Sequence, residues 1–217
     1  MERGFPWRLV TVDIDGTLTR THGWRDVAVA FDCLGPFEET QRRFFAHQIG
    51  EDAHLSDLLA LATGHTLAEM EEVLERTPKL AGIAEGIGQL HDRGARVALL
   101  THNPTYVADW YRRSFGFDDA EAVRGQPVTA GRIGPPVGIR ADKPGGLRAL
   151  LARHPTPPTL VAHVGDGWTD AEVFRLVGGG IALNSPYPEV NRAADLVLAT
   201  EDFRDVVQGL SRLSPRR

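Results

Sequence analysis

The stretch from Leu9 to Thr19 constrains this chain more than any other. Its first half is apolar and β-branched, the pattern of a strand covered on both faces of a parallel sheet. It then runs into Asp13, Ile14, Asp15, Gly16 and Thr17, where the chain must leave the sheet. In extended backbone, residues two apart point the same way, so Asp13 and Asp15 aim into one small space. Two carboxylates ~4 Å apart repel by about 4 kcal/mol at an effective dielectric near 20. Nothing adjacent in sequence neutralises them, so the pair implies a cation or a shared proton.

The remaining chain alternates strands and helices on both sides of one all-helical block. Residues 25–34, 37–49, 55–62 and 67–76 read as helices, the last opened by a capping box of Thr66 and Glu69. No strand pattern interrupts them. Beyond Pro78, a helix over 83–93 stops at Gly94, and a strand over 96–100 leads into Thr101, His102 and Asn103. Asn103 reads as the N-cap of a helix that Pro104 opens and that runs through Phe115. A strand over 121–124 precedes a Gly- and Pro-rich loop or small hairpin over 125–138, then a helix over 144–153. The strand over 159–164 ends in Gly165, Asp166, Gly167, Trp168, Thr169 and Asp170 and a helix to Val177. Short strands over 180–183 and 196–199 and a helix over 202–210 close the chain. This is the signature of an α/β fold: a Rossmann-like, doubly wound, mainly parallel sheet over 1–20 and 78–217, with an all-helical cap inserted over 21–77.

Composition narrows the partners. The formal net charge of −5 disfavours a nucleic-acid binder that relies on a broadly basic surface. No apolar run approaches a membrane span or resembles a signal peptide. Cys33 is the only cysteine, which excludes an internal disulfide and a thiolate metal cluster and suits the cytoplasm. His47, His54 and His65 lack metal-ligand spacing and read as surface or cap positions.

In open parallel sheets, ligands bind beyond the carboxyl ends of the strands where the topology reverses. Asp13 and Asp15, Thr101 and Asn103, and Asp166 and Asp170 all fall at such ends, and Lys143 opens a helix after the irregular loop. Packing has no use for four aspartates, a hydroxyl and a lysine at those places. Taken in order, they resemble the motifs of the haloacid dehalogenase-like superfamily of phosphohydrolases. Asp13–Thr17 matches its Asp-x-Asp-Gly-Thr, Thr101 its strand-terminal hydroxyl, Lys143 its helix-opening lysine, and Gly165–Asp170 its Gly-Asp-Gly-x-x-Asp. The likeness covers nearly the whole chain, and the helical insert matches the cap some members carry. Cap placement and motifs are most similar to the phosphoserine phosphatases.

The resemblance implies hydrolysis of a small-molecule phosphate ester in two steps. Asp13 would be the nucleophile and form an aspartyl-phosphate, and Asp15 the general acid and base. Asp13, Asp166 and the backbone carbonyl of Asp15 would hold Mg2+, with Asp170 ordering that shell. Thr101, Lys143 and the backbone N–H groups of His102 and Asn103 would bind phosphate oxygens. His22, Trp24 and Trp168 are candidates for the rim that contacts the rest of the substrate. Transfer to an acceptor other than water, as in a mutase, and a non-catalytic phospho-accepting domain are the alternative readings. The chain departs from the phosphoserine pattern in several respects: Thr101-His102-Asn103 stands for its Ser-Gly-Gly and Thr169 for an Asn. No acid precedes Asp26 after the first motif, and no arginine lies in 55–62.

Overall fold

The computed structural model describes residues 4–216; residues 1–3 and 217 of the expected core segments lie outside the described residues. A six-stranded parallel sheet forms the centre, its strands lying side by side in the order Asp119–Val123, Arg96–Pro104, Leu9–Val12, Val161–Gly165, Gly179–Leu183 and Leu196–Leu198. Strand β1 (Leu9–Val12) is buried along its whole length because it has neighbours on both sides and helices on both faces. The helical block follows: α1 (Gly23–Ala30), α2 (Leu34–Phe45), α3 (Glu51–Ala60) and α4 (Leu67–Arg76). The chain returns to the sheet through α5 (Ile83–Asp92), β2 (Arg96–Pro104), α6 (Thr105–Phe115) and β3 (Asp119–Val123). A hairpin of β4 (Val128–Thr129) and β5 (Arg132–Ile133) precedes α7 (Lys143–Arg153). The other half of the sheet is β6 (Val161–Gly165), α8 (Trp168–Phe174), β7 (Gly179–Leu183), α9 (Pro188–Ala193), β8 (Leu196–Leu198) and α10 (Phe203–Arg212).

The winding reverses at β1, which pairs with β2 on one side and β6 on the other. Strand ends from both halves therefore meet at one crevice, and Asp13 N–H donates to the Val164 carbonyl (3.0 Å), which fixes Asp13 beside the turn holding Asp166. A single apolar cluster runs from the sheet into the helical block, joining Val12, Ile14 and Leu18 to Trp24, Leu59 and Met70. The helices consequently pack on the core rather than hang from it.

Several boundaries differ from the sequence expectation for local reasons. The first helix of the block begins at Gly23 and stops at Ala30, because Asp32 adopts a left-handed backbone (φ 52). The second runs 34–45 and not 37–49, with His47 at φ 55 turning the chain. Strand β2 continues four residues past Leu100 through a register shift against β3. Pro104 is therefore the N-cap of α6, and Asn103 is not. The Gly- and Pro-rich stretch forms the β4–β5 hairpin, whose Ile133 N–H and carbonyl bond the His65 carbonyl and Gly64 N–H of the helical block. Helix α9 had no counterpart in the sequence pattern.

Candidate active site

The crevice opens into a cavity of about 860 Å3, floored by strand ends and walled by the helical block. Asp13, Asp15, Thr101, His102, Lys143, Asp166 and Asp170 all line it, brought together from four segments. Lys143, only 3% exposed, lies between two carboxylates: its Nζ is 2.5 Å from Asp170 Oδ1 and 3.1 Å from Asp13 Oδ1. Those contacts occupy two of its three N–H bonds and leave one for a ligand in the cavity. Burial alone would push the ammonium toward neutrality, but Asp13 and Asp170 hold its pKa above the ordinary lysine value.

Asp170 has no lone pair directed away from protein. Its Oδ1 accepts from Lys143 and from His163 Nε2 (2.9 Å), while Oδ2 accepts the backbone N–H groups of Asp166 (3.1 Å) and Gly167 (2.9 Å). The lysine and those donors keep its carboxyl far below the usual range despite complete burial. Asp170 thus shapes the Asp166 turn and anchors Lys143.

Burial pushes the Asp13 carboxyl up to about 7, with Asp170 and Asp15 adding to the shift and Lys143 opposing it. Asp166 is raised well above its ordinary value by burial first, then by Asp170 and Asp13. Four aspartates gather around one lysine, an excess of acid that only bound protons or a further cation can offset. Oxygens of Asp13, Asp166 and Asp170 lie within 4.8 Å of one another, and with Asp170 fully bonded, Asp13 and Asp166 are the pair open to a cation. A divalent ion between them would reverse both upward shifts. An all-oxygen donor set of this kind suits magnesium rather than zinc. Gly16 belongs to the same seat: at φ 73, a Cβ there would fall 2.3 Å from Asp166 Oδ2, so only glycine lets the carboxylate approach. Thr17 Oγ1 donates to Asp166 Oδ1 (3.2 Å) and steadies it.

Asp15 is tied at both oxygens. Oδ2 accepts from Asn103 Nδ2 (2.9 Å), and Oδ1 accepts the Gly23 N–H (3.0 Å) at the first residue of α1. A side chain at position 23 would place Cβ 2.4 Å from that oxygen. Asn103 therefore differs from its expected role. Its backbone N–H is bonded to Thr101 Oγ1 (3.2 Å), and its side chain orients Asp15 while also reaching Thr101 Oγ1 (3.1 Å). With two bonds accepted, the Thr101 hydroxyl retains its own proton for a ligand. The His102 ring adjoins the cavity with Nε2 buried and unbonded, its pKa lowered to about 3 by burial and then by Lys143.

His22, Trp24 and Trp168 also line the cavity. Trp24 is buried in the apolar cluster and offers only part of its surface, whereas Trp168 is 39% exposed and packs on Tyr187 (centroids 4.3 Å apart). One histidine carries a role that the sequence pattern did not assign. His163, fully buried in β6, faces Thr11 across the β1–β6 register and takes its hydroxyl at 2.8 Å on Nδ1 while Nε2 donates to Asp170. A histidine inside an otherwise apolar strand was the signal available for it. His54 takes the second of its two expected places: it lies in α3 of the helical block, stacked on Phe44 (4.3 Å, 8°), and forms part of the cavity wall.

Comparison with known proteins adds a family and a fold. A family model described as haloacid dehalogenase-like hydrolase matches residues 7–178. A phosphoserine phosphatase of Archaeoglobus fulgidus is 24% identical over 183 residues, 82% of this chain and 53% of that protein. The chain thus spans about half the length of that curated relative. A substrate-bound phosphoserine phosphatase complex superposes with TM-score 0.78 at 19% identity, covering 94% of this chain and 98% of that one. A phospho-aspartyl intermediate analogue of phosphoserine phosphatase gives 0.77 at 20% identity with the same coverage. A HAD family hydrolase from Salmonella enterica serovar Typhi gives 0.82 at 16% identity, over 92% of this chain and 70% of that one. At these identities the structures establish a shared fold.

Proposed function

The chain belongs to the haloacid dehalogenase-like hydrolases, and on that footing we propose that it is a magnesium-dependent phosphatase acting on a small phosphate monoester through an aspartyl-phosphate on Asp13. The observation that carries this reading is the shared bonding of Lys143 to Asp13 and Asp170 at the floor of the cavity. That arrangement sets a nucleophilic carboxylate beside a fixed cation with a spare donor.

Lys143 and the Thr101 hydroxyl receive the non-bridging phosphate oxygens, and the ester oxygen then points toward the helical block. An Asp13 oxygen attacks phosphorus as the bond to the ester oxygen breaks, and Asp15 delivers a proton to that departing oxygen. In the second step Asp15 takes a proton from water, the water oxygen attacks phosphorus, and the Asp13 carboxylate leaves with its electron pair. Asn103 and Gly23 keep the Asp15 oxygens aimed throughout. Asp13 and Asp166, with the Asp15 backbone carbonyl, would hold magnesium, which when bound offsets the negative charge gathered at the phosphoryl group. Residues 21–77 serve in this reading as a cap that excludes bulk water.

Release of phosphate from p-nitrophenyl phosphate with magnesium tests the proposal. Asp13→Asn is expected to lower turnover by roughly 10⁴-fold or more, as removal of a covalent nucleophile does. A phosphoprotein seen by mass spectrometry after a brief quench should map to Asp13. Turnover surviving in Asp13→Asn refutes the nucleophile, and a stable phosphoprotein without turnover favours the signalling alternative.

A further inference from the structure

Resting on the phosphatase reading, we propose that the cavity selects a phosphate monoester whose leaving alcohol has an aromatic or apolar body and no carboxylate. The inference comes from what faces the space above the phosphate position. Among the described residues lining the cavity, Lys143 and Arg20 are the only permanent cations. Lys143 is committed to Asp13, Asp170 and the phosphoryl group. Arg20 stands at the mouth, 48% exposed, and its guanidinium is already paired with Glu201.

A carboxylate on the leaving group would have to take Arg20 from Glu201 and leave that acid beside it. Exposed ion pairs of this kind contribute little, so the exchange gains almost nothing. Glu51 adds a second acid to the wall. A carboxylate entering here loses its water, meets two acids and finds no free cation. One part of the wall invites the opposite chemistry. The stacked rings of Phe44 and His54 face the cavity together with Leu55 and Leu58, and the Trp168–Tyr187 pair stands on the sheet side. Burial keeps the His54 imidazole neutral, its pKa lowered to about 4, so that ring behaves as an aromatic plate. A flat apolar group laid against these surfaces gains burial.

Three primary alkyl phosphates separate the contributions: 2-phenylethyl phosphate, phosphoethanolamine and phosphoserine. The last two differ only by the carboxylate. Values of kcat/KM are measured on the full chain with magnesium at about pH 8, where an ordinary imidazole is neutral. The expected order is 2-phenylethyl phosphate, then phosphoethanolamine, then phosphoserine, with about 100-fold or more between first and last. Phosphoserine used as well as 2-phenylethyl phosphate overturns the proposal. If p-nitrophenyl phosphate is hydrolysed while that order fails, the selectivity falls and the phosphatase reading stands; if no ester is hydrolysed, both fall. Arg20→Gln should leave the phosphoserine-to-phosphoethanolamine ratio unchanged, and a selective loss on phosphoserine would identify Arg20 as a carboxylate ligand and sink the inference. Phe44→Ala should shrink the advantage of the phenylethyl ester by about tenfold; an unchanged advantage counts against the ring-lined site.

Discussion

The floor of the cavity and the apolar part of its wall are built on opposite principles. On the floor, every carboxylate has a specific donor or a charged neighbour: Asp170 receives four hydrogen bonds, Asp15 two, and Lys143 bridges two acids. On the wall, Phe44, Leu55 and Leu58 present surface without directed bonds. A network of bonds fixes atoms to fractions of an ångström, which transfer of a phosphoryl group requires. An apolar wall fixes only shape, which suits selection of a leaving group. Reaction and selectivity can therefore vary independently in one cavity.

The sharpest way to break this contrast is to remove the cation from the floor. Lys143→Met leaves Asp13 and Asp170 buried without their partner, a change that costs roughly 3–5 kcal/mol. Urea denaturation should show that loss together with the disappearance of turnover; an unchanged midpoint would mean the pair is not mutually compensating. Next in size is Asn103→Ala, which frees one Asp15 oxygen while leaving Lys143 and Thr101 in place. It should lower kcat by about 10²-fold with little change in KM, and a rise in KM alone would assign Asn103 to substrate binding. The smallest effect belongs to the wall. Burial, with His22 adding, lowers His54 from an ordinary 6.5 to about 4, so the unfolded chain binds the extra proton between those values. Stability attached to this neutral ring is complete above pH 6.5 and lost as pH falls toward 4. Thermal melts of His54→Phe should lose less stability over that window than the parent chain; parallel losses would place the sensitivity elsewhere.

The floor was legible before the structure because Asp13, Asp15, Lys143, Asp166 and Asp170 occupy strand ends and a helix start where packing has no use for charge. Strand β1 and helix α4 were equally plain, since burial pattern and capping box are local. Asn103 was misread for the converse reason. Its bond to Asp15 spans 88 positions, and no local spacing encodes it. His163 depended on facing Thr11 across the sheet, and His54 on the fold of α2 over α3, so both needed tertiary contacts to acquire meaning. Beyond His22, Trp24 and Trp168, the wall was hidden in the same way. Phe44 and Leu58 follow helical periodicity like any core residue, and only the assembled block shows that they border a space.

The Gly23 amide joins the two regions at a single hydrogen bond. It starts α1 and at the same moment holds one oxygen of Asp15. Were α1 displaced from the strand ends, this bond would lengthen and Asp15 would be held by Asn103 alone. The position of α1 and the aim of this carboxylate are thereby tied to one another through a backbone group that no side-chain substitution other than proline removes.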